Sequence, residues 1–400
     1  MPLAAAMGVP GGALAALLVA AYLVLIAGGF VVFRTPWAMR RGSEMSTQRA
    51  AFTAANAGTL TGFQISVSVN DYQPAGRSTV LLLTVVGSLV SMIVGSMALV
   101  RILRLPYSDG QVITAALVAQ GLALLAGTSL LTEFGQDFFA TVMQAAAAFG
   151  NSGIYAGKLS GAGEWRLQMV QLPLAFLGGL GLPVLMEIYD RAFGGRRMSV
   201  HSRTVVAMSA GLYAAAVVVF VLLQWPGEDG SWRRAVAESS AAAVDCRTAG
   251  IALHYVHEFP RTMQWLMIPL MAVGASPAGT GGGVKTTTVA ALILGAHAAL
   301  KGRRVGRVAG IAAVWVGAYG AIVLVSLLVL LWSEPQAPAD RLVFLAVSAA
   351  SNVGLSHEPV SLSAIGLYTL TVAMLVGRLA PMGVLWWTAM TTGDAELAVG

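Results

Sequence analysis

Four tetrapeptides in this chain end in glycine and share one local setting: Thr59-Leu60-Thr61-Gly62, Gly150-Asn151-Ser152-Gly153, Arg247-Thr248-Ala249-Gly250 and Ser351-Asn352-Val353-Gly354. Their closing glycines lie 91, 97 and 104 residues apart, and each tetrapeptide follows a short alanine-rich stretch. What such segments can present is main-chain oxygen. Glycine reaches backbone angles closed to other residues, so a short extended segment can turn its carbonyls toward an axis. Four segments around one axis could replace the water shell of a dehydrated alkali cation. The ion-facing oxygens are then backbone atoms, and side chains such as Thr61, Asn151 and Thr248 shape the loops.

Elements able to hold such loops follow from composition. The chain has 400 residues, 57% hydrophobic and 10% charged, with mean hydropathy +0.75. Soluble domains carry about 25% charged residues, so this is an all-α polytopic membrane protein. Gly12 to Phe33 is too long and too uncharged at its start for a signal-peptide core and reads as a retained span. One plan then recurs: a long apolar helix, a short Ala-rich stretch, a glycine tetrapeptide, a second long apolar segment. The copies are 1–105, 106–195, 196–304 and 305–400. The stretches before the glycines are only about 10–13 residues against the roughly 20 needed to cross. They are read as re-entrant pore helices, giving four pseudo-symmetric helix, pore loop, helix repeats around one central pore. Irregular backbone at membrane depth survives only inside protein or beside a water-filled cavity.

Charge placement orients the chain. Ten of the 24 Lys and Arg fall in three segments: Arg101 and Arg104, Arg191 to Arg203, and Lys301 to Arg307. The positive-inside rule puts these in the cytoplasm and accounts for the net charge of +6 without nucleic acid. A lone cysteine, Cys246, excludes an intrachain disulfide and a cysteine-based metal site. His254 and His257 form the one close histidine pair, read as solvated in an outer loop. Three basic residues lie at membrane depth, where a charge marks a functional candidate. They are Arg247, which can brace its loop against Asp245 or Glu238, Lys285, and Arg378.

Met263 to Leu300 would measure about 57 Å as one helix, too long for a bilayer. The polar stretch "GASPAGTGGGVKTTT", Gly274 to Thr288, divides it. A phosphate-binding loop is excluded because Val284 separates glycine from lysine and no strand precedes it. The stretch is expected to sit inside the protein beneath the tetrapeptides.

Taken together, "FTAANAGTLTGF", "AFGNSGI", "CRTAGI" and "SNVGLS" resemble the four pore loops of the Trk/Ktr/HKT superfamily of potassium transporters. "FLGGLGLPVLMEIYD" resembles the segment after its second pore, "GASPAGTGGGVKTTT" its interrupted helix, and "GRLAPM" the arginine motif of its last helix. The match covers nearly the whole chain and lies nearest the Ktr membrane subunit. It implies channel-like K⁺ uptake through a carbonyl filter built by the four tetrapeptides, with K⁺ as transported ion at the filter and no covalent cofactor. It implies a gate formed by Gly274, Ala275, Ser276, Pro277, Ala278, Gly279, Thr280, Gly281, Gly282, Gly283 and Lys285, opposed by Arg378. A multi-pass bacterial inner-membrane homodimer with a cytosolic RCK-type nucleotide-binding partner is also implied. Gly62, where some plant relatives with a sodium preference carry serine, argues for K⁺ over Na⁺, with Rb⁺ as a surrogate. Two departures stand out: "VVGSLVSMI" in the first repeat replaces a Gly-Gly-Leu-Gly segment, and Asp245-Cys246 ends the third pore helix, near the outer mouth.

Two other classes compete. A secondary transporter of a small solute, or a Na⁺-coupled symporter, would use broken helices in corresponding positions, and the sequence shows one conspicuous break. A membrane enzyme would need clustered His, Asp or Glu, which the sequence lacks.

Overall fold

The computed structural model describes residues 11–39, 45–64, 69–132, 137–157, 160–224, 231–249, 255–391 and 397–398. The described residues form helices and loops without a named strand. The first unit comprises α1 (Gly11–Phe33), α2 (Thr47–Gly58) and α3 (Pro74–Ile102). The second comprises α4 (Asp109–Leu131), α5 (Phe138–Gly150), a π-turn (Leu167–Gln171) running into α6 (Leu172–Leu180), and α7 (Leu182–Gly194). In the third, α8 (Val200–Leu223) and α9 (Trp232–Val244) precede α10 (Arg261–Ala272) and α11 (Thr286–Leu300). The fourth holds α12 (Arg307–Ser333), α13 (Ala339–Ala350) and α14 (Ala364–Thr391).

Burial separates two kinds of span. Only 22% of the apolar window of α1, α8 and α12 is buried, against 72% for α3 and 50% for α14. A helix apolar on all sides with most of its surface free belongs against lipid. The first helix of a unit is therefore peripheral, and the second packs inward. Between them lie α2, α5, α9 and α13, of 12, 13, 13 and 12 residues. They are too short to cross, and their carboxyl-terminal halves are buried. Asp137 caps α5 by accepting from the Phe139 amide at 3.0 Å.

The expected break in the third unit is present, with helices of 12 and 15 residues on either side. A second break corrects the expectation of a single one. Between Leu180 and Leu182 the chain of the second unit bends by 101°. Two local causes act together. Gly181 takes φ 91°, a glycine conformation, and Pro183 begins α7 without an amide to continue the previous helix. A tertiary cause completes it: a Cβ at Gly181 would fall on the carbonyl of Pro277.

Candidate functional site

Three of the four short helices end in the same turn. In units one, two and four the third tetrapeptide residue donates its amide to a carbonyl five residues back: Thr61 to Asn56 (3.1 Å), Ser152 to Ala147 (2.9 Å) and Val353 to Ser348 (2.9 Å). The residue before it is left-handed in each case: Leu60 (φ 59°), Asn151 (φ 55°) and Asn352 (φ 50°). This is the helix-ending geometry of a Schellman cap, and it swings the tetrapeptide off the helix axis. The third unit differs. There the chain continues from α9 as a π-turn over Asp245–Ala249. Thr248 and Ala249 lie in that turn, and Gly250 falls outside the described residues.

Glycines bring three of the loops together. Gly62 (φ 87°) and Gly354 (φ 82°) both need the left-handed region. A Cβ on Gly62 would overlap the backbone of Gly153, and one on Gly354 would overlap the carbonyl of Thr61 and the backbone of Gly62. Side chains fasten the loops rather than fill the space between them. Asn56 accepts from and donates to the Phe63 backbone, both at 2.9 Å. Gln64 donates to Gly153 O at 2.8 Å, and Asn352 donates to Thr61 Oγ1 (3.0 Å) and Met374 O (2.8 Å). Thr59 and Thr61 join their hydroxyls at 2.7 Å. Outer helices brace this arrangement from behind. Tyr22 donates to Gly58 O (2.6 Å), Tyr319 pairs with Ser351 Oγ (2.6 Å) and Tyr213 with Ser240 Oγ (2.8 Å).

Against them lies the polar segment, buried from Gly274 to Lys285. Its ends are pinned together: Gly274 donates to Val284 O and Ala275 to Gly282 O, each at 3.1 Å. Its middle enters the second break. Ser276 donates to Gly179 O and Thr280 to Gly178 O, both at 3.0 Å, and Leu182 donates back to Ala278 O at 3.3 Å. The Thr280 hydroxyl donates to Phe149 O (3.0 Å) and accepts from Asn151 Nδ2 (2.6 Å). Gly279 backs onto Gly179, Ala278 onto Gly95 of α3, and Gly282 onto Ser351 and Asn352. One segment of the third unit thus touches the other three.

The basic residues bond to carbonyls. Arg378 donates through Nε (2.8 Å) and Nη2 (2.5 Å) to Thr59 O, and through Nη1 (2.6 Å) to Thr280 O. It ties the first tetrapeptide to the polar segment. Lys285 donates to Gly281 O (2.7 Å) and Gly282 O (3.4 Å). Arg247 braces by a different route from the acidic pairing expected: it donates to Ser209 O (3.2 Å) and Gly274 O (3.1 Å), while Arg234 holds Glu238 at 2.6 Å. Each carbonyl bond satisfies a buried donor without importing a second charge.

Other placements refine the sequence reading. Cys246 is fully buried among Ala216, Phe220 and Met267. His257 bonds the carbonyl of His357 at 2.5 Å, whereas His254 lies outside the described residues. Burial first, then Arg341, holds the His357 imidazole below the usual histidine range. The quoted motifs contain Gly87, Gly178 and Gly377, but sequence reasoning gave these three residues no role. A Cβ on each would strike the carbonyl of Gly58, Phe149 or Ala350, which are equivalent positions at the ends of α2, α5 and α13. Their signal is spacing, a glycine 27 to 29 residues after each pore-helix end. Gly87 alone does this for the first unit, which explains how α3 stays unbroken without a Gly-Gly-Leu-Gly segment.

No family model matches the chain. It is similar to the Ktr system potassium uptake protein B of Vibrio alginolyticus, 24% identical over 386 residues, covering 85% of this chain and 84% of the relative. The potassium/sodium uptake protein NtpJ of Enterococcus hirae is 25% identical over 426 residues (95% and 94%), and the Ktr system potassium uptake protein B of Bacillus subtilis 26% over 378 (83% and 84%). The crystal structure of the potassium transporter TrkH from Vibrio parahaemolyticus shares the fold, with TM-score 0.73 and 16% identity over 93% of this chain and 84% of that one. Over nearly its full length, then, the chain is similar to the Ktr B proteins of the Trk/Ktr superfamily, and its multi-pass helical bundle shares the TrkH fold.

Proposed function

We propose that the chain takes up potassium through a pore on the common axis of the units 1–105, 106–195, 196–304 and 305–400. Backbone carbonyls of the four tetrapeptides select the ion. The observation that carries this reading is the glycine contact of Gly62 with Gly153 and of Gly354 with Gly62. It sets main-chain segments of three units side by side where no side chain fits. The pore helices direct their carboxyl-terminal ends, with partial negative charge, toward the same region, which favours a cation. The relatives' names supply the ion, K⁺, for which Rb⁺ is a tracer and Na⁺ the competitor to test.

The segment from Gly274 to Lys285, locked by Arg378, closes the path below. It reaches all four units through hydrogen bonds and close glycine contacts that can be exchanged one at a time. The working assembly is a homodimer with a cytosolic nucleotide-binding RCK-type subunit. Expression in a potassium-uptake-deficient bacterium should restore growth at low external K⁺. Absence of both rescue and Rb⁺ flux from correctly inserted protein, tested with its regulatory partner, refutes the reading.

A second reading gains from the break at Gly181. Two broken helices that bond each other are the furniture of a coupled transporter. Flux that requires a Na⁺ or H⁺ gradient, measured in vesicles, would favour it. Flux that follows the K⁺ gradient alone would favour the channel-like reading.

A further inference from the structure

Helix α7 has two different ends. At its start, Leu182 bonds Ala278 and Gly181 packs on Pro277, so it holds the buried segment directly. At its far end it is fixed in rotation: Glu187 accepts from the Ser199 amide at 2.7 Å, and Asp190 accepts from Tyr107 Oη at 3.1 Å. The face turned away from the protein is therefore set. It carries Ile188 (38% exposed), Tyr189 (64%) and Phe193 (80%), with the two rings 4.9 Å apart. Arg191, one turn after Ile188, and Arg196 and Arg197, just beyond the helix, are also exposed. Asp190 engages Arg196 at 3.3 Å; among the described residues no ion pair involves Arg191 or Arg197.

Along the helix the exposed residues run Ile188, Tyr189, Arg191 and Phe193, followed by Arg196 and Arg197, at a connection that the positive-inside rule assigns to the cytoplasm. Aromatic rings settle at the headgroup level, and clustered arginines at that level attract anionic lipid. A soluble partner would explain the arginines but not an apolar stripe at the end of a membrane-embedded helix. Charge complementarity and depth select the same occupant.

We infer that the outer face of α7 binds an anionic phospholipid of the cytoplasmic leaflet, its phosphate on Arg191, Arg196 and Arg197 and its chains on Ile188, Tyr189 and Phe193. Occupancy steadies α7 and, through Gly181, the buried segment. The coupling to flux rests on the ion-conducting reading above; the binding does not.

The test titrates the full-length chain in detergent with phosphatidylglycerol or phosphatidylcholine and counts retained lipid by native mass spectrometry. Phosphatidylglycerol should be retained preferentially. The triple variant R191Q/R196Q/R197Q should lose that preference by about tenfold or more, while R303Q/R304Q in another exposed basic connection keeps it. An unchanged melting temperature without lipid shows that the triple variant is folded. Equal retention of the two lipids, or an unaffected triple variant, overturns the site. Displacement by millimolar inorganic phosphate alone overturns it in favour of a free-phosphate site. If Phe193→Asp lowers the dimer fraction but leaves lipid retention intact, a second copy covers the stripe and the proposal fails. In vesicles, Rb⁺ flux should change with phosphatidylglycerol content for the parent chain and not for the triple variant. Measurable flux indifferent to lipid charge in the parent chain overturns the coupling alone.

Discussion

The tetrapeptide loops and the segment from Gly274 to Lys285 are both irregular, glycine-rich backbone buried at membrane depth, yet they are held in opposite ways. Each of three tetrapeptides is set by a turn within its own unit, five residues long and closed at a helix end. The polar segment is pinned at its ends within its own unit, but its middle is held by other units: Gly178, Gly179 and Phe149 of the second, Gly95 of the first, Arg378 of the fourth. Local closure makes the first region rigid as soon as its helix forms. Distributed closure makes the second separable, since its bonds can be lost without unfolding a helix. A selective element and a movable one can thus be built from the same residue types.

Removing residues 275–285 attacks the separable region most directly. Flux should rise by about tenfold or more, equivalent to about 1.4 kcal/mol off the barrier. Rb⁺ uptake per inserted protein checks this, and flux that stays level or falls means the segment does not close the path. The rigid region should respond differently. In Gly62→Ser and Gly354→Ser the new side chain meets neighbouring backbone at positive φ, a strain of about 1–3 kcal/mol. The preference for K⁺ over Na⁺ should fall about fivefold or more in each; side-by-side K⁺, Rb⁺, Na⁺ and Li⁺ fluxes decide it.

Arg378 joins the two regions, so Arg378→Gln tests whether they are coupled. Loss of its bonds, worth about 1.5–3 kcal/mol each when charge-assisted, should raise flux severalfold and lower the melting temperature. Selectivity should move less than in Gly62→Ser, and an equal loss would mean the regions are one. The smallest effect is expected at the outer rim. Arg77 reaches Asp137 at 2.5 Å and holds its carboxyl below the usual range. Asp137→Asn keeps the helix cap and loses the ion pair, about 0.2–1 kcal/mol at an exposed site. A depressed carboxylate contributes above its ordinary pKa and loses that contribution as pH falls through the folded value. Melting temperatures of parent and variant should therefore differ at pH 7 and converge in acid, below the ordinary carboxylate range. A gap that persists in acid would assign the effect to something other than the charge.

Much of this architecture was legible because it is written locally. Pore-helix lengths follow from where apolar, Ala-rich stretches stop, and the break before Lys285 from five glycines and a proline in fifteen residues. What escaped depends on partners distant in sequence. Gly181 bends the chain because Pro277 O occupies the space beside it. Leu60 takes a left-handed conformation that leucine resists, because the bonds between Asn56 and Phe63 close the loop around it. The π-turn at Asp245 has no counterpart in the other pore-helix ends, and composition around it gives no warning. Arg247, Lys285 and Arg378 were legible as residues of interest. Their acceptors were not, since a main-chain carbonyl carries no residue identity.

The tyrosine braces carry a mechanical consequence. Tyr22, Tyr213 and Tyr319 each tie a pore helix or its loop to the outer helix of the same unit. At the matching depth α4 has Gln120, which accepts from Ser88 of α3 at 2.6 Å and so reaches into the first unit. Three corners of the ring are tied by a hydrogen bond to their own outer helix; at the fourth the outer helix packs closely on its pore helix through Gly127 and Ala145 but spends its polar bond on the first unit. The polar segment docks at that fourth corner, so any force it exerts in moving is delivered to the seam between the first and second units.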